Sequence, residues 1–202
     1  MTKSAQQSEK ILKVARQLFA TKGYEATTTR QINQAAGTAE GLLYYYFPHG
    51  KRQILDTIVH IGVQERLDVF AARPMSDVTA SNLASRLLEL FDLLWTTFSS
   101  EENYQAFIIT VRERALLSDE QSAWLMERID EVQAQLADSL RMLPEFLTIS
   151  DAQLNDWVGI IFSIFQKTIY DELLIRNHRQ LPELVRDEVI NRIELLIQLS
   201  TD

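Results

Sequence analysis

The sequence predicts an all-α protein in which a small three-helix head precedes a larger helical body, about nine helices in all. Two observations carry that prediction. Only six glycines and four prolines interrupt 202 residues. Apolar residues recur at three- and four-residue spacing along the whole chain, and strand-like alternation is nowhere sustained. The helical segments are short up to residue 50 and long beyond it, which divides the chain into a domain over 1–50 and another over 51–202.

The first helix is expected over 8–21, with Ile11, Leu12, Ala15, Leu18 and Phe19 on one face and Lys10, Lys13, Arg16 and Gln17 elsewhere. Gly23 ends it. The run Thr27-Thr28-Thr29 offers caps for a short helix reaching residue 36, because a threonine oxygen can accept from an N–H of the first turn. Gly37 then imposes a turn, a third short helix covers 39–47, and Pro48-His49-Gly50 breaks the chain again. Long helices follow over 51–72, 80–99, 102–117, 119–142, 151–177 and 182–199. Ser118 ahead of Gln121 has the spacing of a capping box, and Pro182 suits a first helical position.

Net charge is −8, yet the distribution is uneven: residues 1–52 carry +5 and residues 53–202 carry −13. Affinity for nucleic acid depends on local phosphate neutralisation, so an acidic total does not exclude it. Cysteine is absent, which removes disulfides, thiol nucleophiles and thiolate metal sites and suits a reducing compartment. The N-terminus lacks the apolar run of a signal peptide, and the apolar stretch 157–165 is too short to span a bilayer. A cytoplasmic protein without a membrane segment is expected.

Two short helices joined through Gly37, behind a basic amphipathic helix, form a helix-turn-helix pattern over about 28–47. Ile32 and Ala35 supply apolar contacts for the supporting helix. The second helix would lie in the major groove and presents Thr38, Ala39, Glu40 and Leu42 at its start. Glu40 either complements the helix dipole and faces solvent or accepts from a cytosine amino group. Leu42 could touch a thymine methyl. Tyr44, Tyr45 and Tyr46 are consecutive, about 100° apart, so they cannot all point inward.

The ordered set Ala15, Phe19, Gly23, Thr27, Ile32, Ala36-Gly37, Gly41, Leu43-Tyr44, Tyr46-Phe47 and Lys51 resembles the DNA-binding region of TetR-type repressors. The resemblance implies a homodimeric regulator that binds a palindromic operator in double-stranded DNA and is released by a small molecule. It implies that Thr28 caps the supporting helix and donates to a phosphate. Thr38, Ala39, Glu40, Leu42 and Tyr45 would then face the groove, Tyr44 and Tyr46 would place hydroxyls on phosphates, and Lys51 would contact another. Two departures stand out. Ala39 occupies the usual Ser/Thr cap position, which leaves that task to Thr38, and Asn33 replaces a small apolar residue.

In the body, Phe91, Trp95, Phe107, Ile108, Arg112, Trp124, Phe162 and Gln166 are candidates for lining a largely apolar ligand cavity, with ordinary core packing as the alternative for each. Arg112 would suit an anionic ligand, and Glu89 or Glu113 a cationic one. A dimer face is expected on the last two helices, from Trp157, Gly159, Ile160 and Ser163 with Val189, Ile193 and Leu196. No cofactor, metal site or catalytic residue is expected. The chain lacks a nucleophile elbow, a phosphate loop and HExxH, and Asp56 with His60 suits an ion pair better than a metal. The alternatives to a ligand-released repressor are a helical dimeric interaction protein and a non-specific DNA organiser.

Overall fold

The predicted periodicity is realised as helices throughout a computed structural model that describes residues 3–71 and 77–201. Among the described residues there are nine α-helices and no strand: α1 (Lys3–Lys22), α2 (Thr29–Ala36), α3 (Glu40–Tyr46), α4 (Gly50–Ala71), α5 (Leu83–Ser99), α6 (Glu101–Arg112), α7 (Asp119–Leu140), α8 (Asp151–Ile169) and α9 (Glu183–Thr201). The expected end of the fourth helix at residue 72 lies outside the described residues. The chain divides into two compact units, one of residues 1–65 with 100–121, the other of 66–99 with 122–202.

In the first unit, α1 packs on α2, α3 and α6, and α2 packs on α3. The face read from the sequence is the buried one: Ile11, Ala15 and Phe19 of α1 meet a core that also holds Ile32, Ala36, Leu43, Phe47, Ile54, Leu55, Ala106 and Ile109. Polar links tie α6 to α1 and to the turn after it. Arg16 pairs with Glu102 at 2.7 Å, Arg112 Nη1 donates to the Ala20 carbonyl at 2.9 Å, and the Tyr24 N–H donates to Glu113 at 3.1 Å. Arg52 donates to the Leu116 carbonyl and pairs with Asp56 at 3.2 Å, giving Asp56 an ion-pair partner.

In the second unit, α5 packs on α8 and α9, which pack on each other. Its core is built from Leu83, Leu87, Phe91 and Leu94 of α5, Leu136 and Leu140 of α7, Leu154, Val158, Ile161 and Phe165 of α8, and Val189 and Ile193 of α9. Arg186 clamps Asp92 with both Nε and Nη2 (3.0 and 2.7 Å), joining α9 to α5.

Helix starts follow the capping chemistry. Ser118 and Gln121 exchange hydrogen bonds of 3.1 and 3.0 Å as the spacing predicts, and Ser150 with Gln153 repeats the device at α8. Two helix ends differ from expectation. The helix expected to reach residue 117 stops at Arg112, and a 3₁₀ turn, Arg114–Leu116, follows. The helix expected to reach residue 177 leaves α geometry after Ile169 for a π-helical segment, Tyr170–Ile175, and Asn177 then takes a left-handed φ of 56°. The buried Glu172 carboxylate holds that end, forming an ion pair with Arg176 at 3.3 Å and lying 2.7 Å from His178 Nδ1.

Candidate nucleic-acid interface

The supporting helix α2 begins with a reciprocal cap. Thr28 Oγ1 accepts from the Gln31 N–H at 3.2 Å, and Gln31 Oε1 accepts from the Thr28 N–H at 2.9 Å. Thr28 thus caps the helix as expected, and it is exposed. Gly37 ends α2 with φ 61° and ψ 38°, a left-handed conformation that a Cβ would strain. The turn is braced by the Thr38 N–H donating to the Asn33 carbonyl at 2.9 Å.

Thr38 does not cap α3, contrary to expectation. Its hydroxyl donates to Asn33 Oδ1 at 2.9 Å, on the α2 side of the turn. The N-cap of α3 is Ala39, which makes no side-chain bond to the helix. The polar residue at position 33 therefore has a local role: Asn33 is buried and holds the Thr38 hydroxyl.

The outward positions of α3 follow from what it buries. Leu43 and Phe47 enter the core, so Ala39 and Tyr45 are exposed, with Thr38 and Leu42 half-buried. The side chain of Glu40 lies outside the described residues. The tyrosine triplet splits as helical geometry requires. Tyr45 is 74% exposed, Tyr44 is 49% exposed, and Tyr46 is half-buried with its ring edge-on to Tyr45 at 5.0 Å. The Tyr44 ring lies over Gly50, where φ is 61° and an added Cβ would stand 3.2 Å from the ring.

Lys51, in the first turn of α4, points to Tyr24. Its Nζ donates to the Tyr24 carbonyl at 2.8 Å and sits 4.0 Å from the centre of the Tyr24 ring. The same ring contacts Phe19 at 5.3 Å. Burial raises the Tyr24 phenol above its ordinary pKa, partly countered by Arg52. Sequence reasoning did not single out Tyr24, and it took Glu113 only as a candidate for a cationic ligand. They are 89 residues apart, and nothing local in either marks the pairing.

The candidates for a ligand cavity are distributed over both units. In the second, Phe91 and Trp95 are buried, Trp124 and Phe162 are half-buried, and Gln166 is exposed. Rings there follow one another through Phe165, which stands 5.3 Å from Phe91 and 6.3 Å from Phe162. In the first unit, Phe107 and Ile108 are half-buried, while Arg112 is exposed and bonded to Ala20.

Of the dimer candidates, Trp157, Val189 and Ile193 are buried within the single chain, Trp157 against Phe146 at 5.0 Å. Ile160 and Ser163 are exposed, and Gly159 and Leu196 are half-buried. Leu195 and Leu199 are exposed as well. No group of side chains able to hold a metal ion occurs among the described residues. None of the described helices is long and apolar enough to cross a membrane.

A capped supporting helix, a left-handed glycine and a short second helix with exposed outer positions define a helix-turn-helix head of the class found in bacterial transcriptional regulators. Residues 11–58 match the family model of the bacterial regulatory proteins, tetR family. Over that segment the chain is similar to TetR-family transcriptional regulators. It is 38% identical over 63 residues to the HTH-type transcriptional regulator YxaF of Bacillus subtilis, a match spanning 31% of this chain and 33% of that protein. The matched segment is thus about a third of the relative's length. The fold extends further: PfmR, a TetR-family transcriptional regulator from Thermus thermophilus, superposes with a TM-score of 0.68 at 20% identity, over 93% of this chain and 97% of that one. AibR, solved in complex with isovaleryl coenzyme A and operator DNA, gives a TM-score of 0.62 at 17% identity, over 92% and 97%.

Proposed function

We propose that this chain is a cytoplasmic, ligand-released repressor that binds a palindromic operator as a homodimer. The observation that carries the proposal is the reading helix itself. Ala39 and Tyr45 are exposed on α3, with Thr38 and Leu42 beside them, in a segment whose net charge over residues 1–52 is +5. Such a helix fits the major groove, and the surrounding positive charge neutralises phosphates. Thr28, Tyr44, Tyr46 and Lys51 are the proposed phosphate contacts.

The proposed dimer face is the exposed side of α8 and α9, with Ile160, Leu195 and Leu199 as apolar contacts. Ser163 donates its hydroxyl back to the Gly159 carbonyl at 2.8 Å, so it can be covered without losing a partner. Two heads would meet half-sites about 34–36 Å apart or a multiple of that. The ligand proposal rests on the aromatic content of the body and on AibR, whose fold is shared and which is solved with a ligand and operator DNA together. A ligand releases DNA only by binding the free and operator-bound forms with unequal affinity. The helix that begins at Gly50-Lys51 continues to residue 71 and is the proposed carrier of that change.

The test is an electrophoretic mobility shift with the intergenic DNA flanking its own gene, alongside light scattering. A dimer that retards this duplex in preference to an unrelated one is expected. A monomer, or indifference to every duplex at low salt, would remove the proposal and favour a helical interaction protein. Equal retardation of all sequences would favour a DNA organiser.

A further inference from the structure

Asn33 is 3% exposed and shares the buried side of α2 with Ile32 and Ala36. Its Oδ1 accepts from the Thr38 hydroxyl at 2.9 Å, while its Nδ2, equally buried, has no hydrogen-bond partner among the described residues. A buried amide N–H without an acceptor is unfavourable, whereas an apolar side chain of the same shape is not. The turn after α2 does not require the amide. The backbone closes it, with the Gly37 N–H donating to the Gln34 carbonyl at 3.2 Å and the Thr38 N–H to the Asn33 carbonyl at 2.9 Å. Any residue at position 33 supplies that carbonyl. Nor does the Thr38 hydroxyl lack another acceptor: the same carbonyl lies 3.5 Å from Oγ1, and Thr38 is only half-buried, within reach of water. What the amide adds is a single orientation of one side chain.

We infer that Asn33 is a positioning residue for operator recognition, acting through Thr38 from a buried site that touches no DNA. The inference rests on the DNA-binding proposal. Thr38 stands immediately ahead of Ala39, the exposed N-cap of α3, where the second helix of a helix-turn-helix begins to face base edges. A hydroxyl free to rotate has to be ordered when DNA arrives, whereas one already held does not. The unpaired Nδ2 is the cost of that preorganisation, and it accounts for a polar residue where the resemblance places a small apolar one. Binding through phosphates alone draws nothing from it, so the contribution of Asn33 is confined to duplexes whose bases Thr38 reads.

A double-mutant cycle in the full-length chain tests this. Asn33→Leu keeps the shape of the side chain and removes its polar atoms, and Thr38→Val removes the hydroxyl that the amide holds. Fluorescence-anisotropy titrations use the intergenic duplex flanking the chain's own gene and an unrelated duplex, with circular-dichroism melts to show that each variant folds. Asn33→Leu is expected to weaken binding to the intergenic duplex about three- to tenfold, the range of one hydrogen bond. In the Thr38→Val background the same substitution changes affinity by less than about 1.5-fold, and on the unrelated duplex by less than about twofold. Equal losses in both backgrounds, or on both duplexes, overturn the inference, because Asn33 then acts through the fold of the head. Wild-type affinity of Asn33→Leu for the intergenic duplex also overturns it and leaves the DNA-binding proposal standing. If Asn33→Leu does not fold, Asn33→Ala enters the same cycle, and failure of both to fold shows a structural requirement and overturns the inference. A wild-type chain that binds no duplex removes the DNA-binding proposal, and the inference falls with it.

Discussion

Replacing Lys51 with methionine separates two roles that this side chain can hold. In the free protein its ammonium donates to the Tyr24 carbonyl at 2.8 Å and lies 4.0 Å from the ring. A hydrogen bond from a charged donor contributes about 1.5–3 kcal/mol, and a cation–π contact at an exposed site about 0.5–1 kcal/mol. Lys51 is half-buried, and methionine keeps most of the stem against the ring, so the low end applies: a loss of about 1–2 kcal/mol. At about 2–4 °C per kcal/mol for a chain of this size, the melting temperature drops by roughly 2–8 °C. If the ammonium also neutralises one operator phosphate, the slope of log K against log salt becomes shallower by about 0.9. Urea unfolding followed by circular dichroism gives the first quantity, and anisotropy titrations at four salt concentrations give the second. Stability within about 0.3 kcal/mol of wild type would show that the Tyr24 contact does not hold the turn. An unchanged salt slope would remove Lys51 from the phosphate contacts whatever its structural role.

Thr28→Ala removes the oxygen that accepts from Gln31 and should destabilise the chain by about 1 kcal/mol, with Thr28→Asp recovering most of that loss; equal midpoints for both in urea would deny the cap its role. Phe91→Ala opens the centre of the second core, where the ring is fully buried against Phe165, and should cost about 3–5 kcal/mol in the same assay. Tyr24 gives an alkaline signature. Burial raises its folded pKa, so the stability it contributes is intact below the unfolded value of about 10 and is lost as pH rises through the higher folded value. Melting temperatures from pH 9 to 11.5 should therefore fall less steeply for Tyr24→Phe than for wild type, and parallel curves would contradict this.

The parts of the fold legible in the sequence are those set by neighbours in the chain. Ile11, Ala15 and Phe19 declare a helix face at three- and four-residue spacing, and they are the residues α1 buries. Ser118-x-x-Gln121 announces a capping box and forms one. Thr28-x-x-Gln31 and Ser150-x-x-Gln153 have the same spacing and form the same reciprocal pairs. Legibility fails where a partner is distant. The apolar flank of α9 reads equally well as a dimer seam or as core, and only the packing of α5 and α8 against it buries Val189 and Ile193 in the protomer. The π-helical segment depends on where Glu172 meets Arg176 and His178, and periodicity alone continues the helix through it. In the head, an apolar face identifies the core, but exposure by itself does not say which outer residue of α3 would meet a base in the proposed complex.

The hydrogen bond between Thr38 and Asn33 has a directional consequence. Because the threonine proton is donated inward to Asn33 Oδ1, the oxygen shows the outside only its lone pairs, alongside the γ-methyl. Phosphate oxygens, guanine O6 and N7 are all acceptors and find nothing to receive there, whereas the amino groups of adenine and cytosine are donors that match it. A buried amide in α2 thereby sets the polarity of a hydroxyl just ahead of α3.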